Sequence, residues 1–127
     1  MTNEEQKRAI EKYIAAYNSF DIDGMLALVH PKVTFKNVSG SEVNAEAEGI
    51  EQFRELAEQA KALFLSRHQQ ASNFKFVDNS VSVDIAYEGV LAADLPNGMK
   101  AGETLQLTGR SEFEFESHTI SRITDFS

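Results

Sequence analysis

The sequence predicts an α+β fold, in which a largely helical first half packs on long antiparallel strands supplied mainly by the second half. Two observations carry this. Apolar residues recur at helical spacing through most of the chain before residue 65, and from Ser66 onward they alternate with a period of two. The alternating segments are also long, and long strands twist and coil rather than lie flat, so the sheet should wrap around the helices.

Thr2 and Glu5 have the spacing of a capping box, which starts a first helix near residue 3. Ile10, Tyr13, Ile14 and Tyr17 then lie on one apolar face that carries two phenols. Asn18-Ser19-Phe20-Asp21 breaks that helix, and Asp21 is a suitable N-cap for a second. Ile22, Met25, Leu26 and Val29 keep helical spacing until His30-Pro31 ends it. Lys32 to Val38 alternates as a strand, with Val33, Phe35 and Asn37 sharing a face. Ser39-Gly40-Ser41 is a turn, and Glu42 to Glu48 is a short extended piece before Gly49. A third helix has Ile50, Phe53, Leu56, Ala57, Ala60, Leu63 and Phe64 as its expected buried stripe.

Phe74 and Phe76 share a face of the next strand, which ends at Asp78-Asn79. Val81, Val83, Ile85, Tyr87, Gly89 and Leu91 share a face of the strand after it, and Pro96-Asn97-Gly98 is a turn. Leu105, Leu107, Gly109, Ser111, Phe113 and Phe115 then point inward, with Gln106, Thr108, Arg110, Glu112 and Glu114 outward. Ser117-His118 is a tight turn into a last strand, Ile120 to Phe126. No linker, repeat or low-complexity stretch interrupts this pattern, so residues 1–127 are read as a single domain.

Composition narrows the function classes. A net charge of −8 with scattered lysines and arginines gives no footprint for nucleic acid. No apolar run is long enough to span a bilayer, so no membrane partner is expected. Cysteine is absent, which removes disulfides, thiolate metal sites and cysteine nucleophiles and suits the cytoplasm. The three histidines fall at a helix end, a strand start and a turn, without metal-ligand spacing, and Arg67-His68 at that strand start reads as solvated surface rather than as the mouth of a pocket. Glycine-rich phosphate loops and nucleophile elbows are missing too, so neither a metal nor an organic cofactor is expected.

Three segments carry a family resemblance: Phe20-Asp21-Ile22-Asp23, His30-Pro31-Lys32-Val33-Thr34-Phe35, and Phe113-x-Phe115 followed by Ile120-x-x-Ile123-x-Asp125-Phe126. With the order of elements, they make the chain similar over its whole length to the nuclear-transport-factor-2-like superfamily, and within it to the SnoaL-like group. The resemblance implies a cone, with three N-terminal helices packed on a strongly curved, mostly antiparallel sheet around a pocket. It also implies a homodimer formed through the sheet face. Members include isomerases, dehydratases, epoxide hydrolases, cyclases and proteins without catalysis, so fold alone does not choose among them.

The resemblance also places residues. The steroid-isomerase branch would put its phenol donor at Tyr13, its base at Asn37 and its second acid at Ser111. An amide is no base near neutral pH, so that route lacks its proton acceptor. The epoxide-hydrolase branch would match Asn37 and Asp125, with Phe35 where it has a tyrosine, no bridging arginine in place and Glu88 pointing outward. Asp125 is therefore the candidate base, with Tyr13 and Asn37 as its catalytic partners. Tyr17, Phe35, Phe53, Tyr87, Ser111 and Phe113 are expected to line the rest of the pocket, around a small, largely apolar molecule. The competing reading is a binding or dimerisation module whose cone is filled by its own phenylalanines.

Overall fold

The computed structural model describes residues 1–127. In chain order its elements are α1 (Asn3–Asn18), α2 (Ile22–Leu26), β1 (Val29–Ser39), β2 (Glu42–Glu48), α3 (Gly49–Lys61), β3 (Phe64–Val77), β4 (Ser80–Leu91), β5 (Thr104–Glu116) and β6 (Thr119–Phe126). The six strands form one open sheet in the order β2-β1-β6-β5-β4-β3, antiparallel except for the parallel β1–β6 pair.

Local chemistry sets the helix starts. Thr2 accepts from the Glu5 backbone N–H, and the Glu5 carboxylate accepts from the Thr2 N–H, which completes the capping box. Asp21 accepts from the Gly24 N–H at 2.9 Å and starts α2. Gly49 opens α3 with φ of +84°, in the left-handed region that a side chain disfavours.

Tertiary pairing changes two boundaries. Helix α2 stops at Leu26, and Val29, His30 and Pro31 belong to β1 rather than to the end of a helix. The cause is β6: Ile120 N–H donates to the Leu28 carbonyl at 2.9 Å, and Val29 lies opposite Ile120, which draws this segment into the sheet. Helix α3 likewise ends at Lys61, so Leu63 and Phe64 are not part of its stripe. Leu63 is exposed, and Phe64 opens β3.

The core gathers where α1 and α2 cover the sheet. Ile10, Val33, Phe113, Ile120 and Ile123 are almost fully buried there. Ala45 on one edge strand and Phe64 on the other nevertheless line a common cavity. In a flat six-stranded sheet those edges would stand roughly 24 Å apart. The sheet therefore curls, as strands of this length should.

Candidate functional site

The cavity between α1, α3 and the inner face of the sheet encloses about 320 Å³. Tyr13, Tyr17, Phe35, Asn37, Phe53, Tyr87, Ser111, Phe113 and Asp125, the nine residues singled out from sequence, all line it. Strand register explains the polar part. Asn37 lies opposite Asp125 across β1–β6, and Asp125 lies opposite Ser111 across β5–β6, so the three side chains share one face. One step deeper, Phe35, Ile123, Phe113 and Val81 form a parallel apolar row. The polar trio thus sits on a hydrophobic floor. A register shift between Asn37 and Val38 marks a bulge beside it, a feature that commonly re-aims side chains near sites.

Ser111 Oγ donates to Asp125 Oδ1 at 2.6 Å. Burial pushes the Asp125 carboxyl from 3.8 up to about 6, against the opposing pull of that hydrogen bond. Tyr13 is buried with its ring edge-on to Phe113, 6.0 Å between centroids. Burial, and then the nearby Asp125 carboxylate, raise its phenol well above the usual range, so it remains a protonated donor.

One turn further along α1, the Tyr17 hydroxyl meets that of Tyr87 at 2.9 Å, and burial raises both phenols. Phe35 and Phe53 pack edge-to-face at 6.0 Å, and Phe64 packs against Tyr87 at 5.8 Å. Gly89 makes that last contact feasible, since a Cβ there would come within 2.8 Å of the Phe64 ring.

Several wall residues were not anticipated. Leu56, Ala57 and Ala60 of α3 face the cavity instead of being sealed beneath the sheet. Thr108 and Arg110, expected outside, reach its rim, where Arg110 stacks on Phe126 at 4.1 Å. Phe74 and Phe76 stack on each other away from this cavity. Arg67 is buried at 5% exposure rather than solvated. Its guanidinium lies 3.6 Å from the centre of the Tyr17 ring. Glu88 is exposed on the opposite face, as alternation predicts.

A family model for the SnoaL-like domain matches residues 10–123. The chain belongs to the SnoaL-like family. Its fold is that of the nuclear-transport-factor-2-like superfamily, and solved structures agree. A candidate polyketide cyclase from Xanthomonas campestris aligns with a TM-score of 0.84 at 19% identity, over 98% of this chain and 90% of that one. AclR, a candidate hydroxylase from Streptomyces galilaeus, aligns at 0.77 and 14% identity, over 98% and 89%. TerC, co-crystallised with polyporic acid, aligns at 0.76 and 18% identity, over 95% and 89%. These likenesses establish the fold of this SnoaL-like chain. No curated protein matches its sequence. No helix is long and apolar enough to cross a membrane.

Proposed function

We propose that this SnoaL-like protein binds a small, largely apolar molecule in the cavity and moves a proton on it without a cofactor, with Asp125 as the base. The observation that carries this reading is a carboxyl group pushed to about 6 on an otherwise apolar cavity wall, close to where proton transfer near neutral pH is efficient. Asp125 takes the proton, and Ser111 orients it. Tyr13 and Asn37, whose polar groups make no hydrogen bond within the protein, serve as donors to a developing oxyanion. Tyr17, Phe35, Phe53, Tyr87 and Phe113 shape the site around the molecule.

The missing base at position 37 is thereby replaced across one strand, since Asp125 is the register partner of Asn37. An epoxide-opening route has less support. The one buried arginine, Arg67, forms no ion pair with an acid. A cone plugged by phenylalanines is also disfavoured, because Phe35, Phe53, Phe64 and Phe113 border about 320 Å³ of space instead of filling it.

The test is turnover of a substrate found by screening small enolisable carbonyl compounds. Asp125→Asn should lower kcat by about 100-fold or more, the scale of a lost general base. Unchanged turnover in that variant would overturn the assignment. We further propose a cytoplasmic homodimer paired through the outer face of the sheet, around Gln106 and Glu112. Light scattering should give twice 14.1 kDa, and a monomer at micromolar concentration would refute the pairing.

A further inference from the structure

The cavity has a second polar end that this acid–base scheme leaves unused. Arg67, on the helix-facing side of β3, is 5% exposed, and none of the three ion pairs in the protein includes it. Its Nε donates to the Tyr17 carbonyl at 2.9 Å, but Nη1 and Nη2 are buried with no partner at all. The guanidinium lies over two rings, 3.6 Å from the centre of Tyr17 and 4.5 Å from that of Phe20. Phe20 reaches this position with φ of +58°, a left-handed conformation costly for a residue of its kind.

Burying an unpaired cation is expensive, and an apolar residue of similar length would avoid the expense. Stacking on two aromatic faces offsets only part of it. A charge retained under those conditions, directly behind a cavity wall, calls for an electrostatic role. Nη1 and Nη2 have no accessible surface, so Arg67 acts through Tyr17 rather than by touching a ligand. Its field favours negative charge near the Tyr17 and Tyr87 hydroxyls, and it opposes the effect of burial on both phenols.

We propose that Arg67 makes this end of the cavity selective for an acidic phenol or enol bound as its oxyanion, with the charged oxygen at the Tyr17–Tyr87 hydroxyl pair. The proposal rests on the reading that the cavity holds a small molecule. Binding in this form releases the hydroxyl proton to solvent, and Arg67 is a positioning residue. Asp125 opposes negative charge at Tyr17, but by less than Arg67 favours it, and it does not act on Tyr87. Tyr87 lies opposite Leu107, four residues along β5 from Ser111, or roughly 13 Å of strand. Of the other ionisable groups nearby, His68 is exposed with its Nδ1 3.3 Å from the Asn18 amide, Glu88 is exposed on the outer face of β4, and Arg110 stands at the rim.

The experiment compares 4-nitrophenol, whose anion alone is yellow, with 4-nitroanisole, a neutral molecule of similar shape. At the pH where the free phenol is half ionised, excess protein should turn it toward the yellow anion. The anion should bind at least tenfold more tightly than the anisole. In Arg67→Met the ratio of the two affinities should fall by roughly tenfold, or about 1.4 kcal/mol. Arg67→Lys keeps the charge and should keep most of the preference, which secures the test if the Met variant does not fold. A preference that survives in folded Arg67→Met, or is lost in folded Arg67→Lys, overturns the proposal. So does anisole binding by the wild type with no bias toward the anion, which leaves the cavity reading intact. Failure of both probes to bind overturns that reading and this one together.

Discussion

The same strands build two different regions. In β4, Val81 and Val83 are each 1% exposed, whereas Ile85 and Tyr87, on the same face, are only half-buried. In β5, Phe113 and Phe115 are sealed while Leu107 is 45% exposed. The alternation is equally regular in both halves. What differs is the partner: one half lies under α1 and α2, and the other curls toward α3 and leaves a gap. An apolar face therefore specifies which way a strand points, not whether its side chains find anything to pack against. Ser111 and Asp125 sit where the packed half gives way to the open one. A carboxyl group there is dry enough to be perturbed and open enough to meet a ligand.

The widest separation between the regions should appear on truncation. Ile120→Ala, at a fully buried position, should cost about 2–5 kcal/mol because the cavity it leaves cannot collapse. Leu105→Ala, on the open wall, should cost under ~1 kcal/mol, since little contact is lost. Urea denaturation of both variants measures the difference, and equal costs would mean that the open half is packed after all.

A smaller effect tests the boundary. Gly109 lies against the β6 terminus, and a Cβ there would overlap the Phe126 carbonyl oxygen. Gly109→Ala should force the end of β6 outward at about 1–3 kcal/mol and carry Asp125 with it. The expected signature is a destabilised protein whose Asp125 titrates nearer its ordinary value of 3.8, read by carboxyl carbon NMR.

Asp125 itself gives a pH signature of similar size. Its folded pKa of about 6 exceeds the ordinary 3.8, so the folded state holds its proton more tightly than the unfolded chain does. Stability therefore falls as pH rises through that window, by at most about 3 kcal/mol, and stays reduced above it. Asp125→Asn should remove this slope and leave the protein about 1–3 kcal/mol more stable than wild type at pH 7. Chemical denaturation at pH 4 and pH 7 checks the sign, and a variant less stable at pH 7 would contradict it. Stabilisation accompanied by lost turnover would be the usual mark of a functional group kept at a structural cost.

How much of this was legible in the sequence depended on bulges. The β4–β5 ladder runs from Ser80 opposite Glu114 to Val90 opposite Thr104 without a register shift, and there parity gave the inward set, apart from Thr108 and Arg110 at the cavity rim. Asn37 and Ser111 lay on the faces that parity assigned them, whereas Asp125 came from the family resemblance. Strand β3 carries two shifts, between Phe64 and Ser66 and between Ser72 and Lys75, and Asn73 has φ of +53°. On that strand periodicity failed: Phe64 resembled the end of a helix, and Arg67 resembled surface. No local signal marks a buried arginine, because its burial is decided by Tyr17 and Phe20, about fifty residues earlier. The short α2 was misjudged for a related reason, since the parallel partner of Val29 lies at the far end of the chain.

The smallest expected effect concerns the Tyr17–Tyr87 pair. In a packed interior, Tyr87→Phe would leave the Tyr17 hydroxyl buried and unpaired, at about 1–3 kcal/mol. Here both tyrosines line the cavity and their hydroxyl pair is only partly buried, so water entering it can replace the lost partner. The expected cost is therefore below ~1 kcal/mol. Tyr17→Phe should cost about the same, and the double variant little more than either alone, because one shared hydrogen bond is removed in all three. A loss near 3 kcal/mol for Tyr87→Phe would place this pair in the packed region and move the boundary between the two halves beyond Tyr87. The hydroxyls would then be structural, and an oxyanion would have to be met by Tyr13 and Asn37 alone.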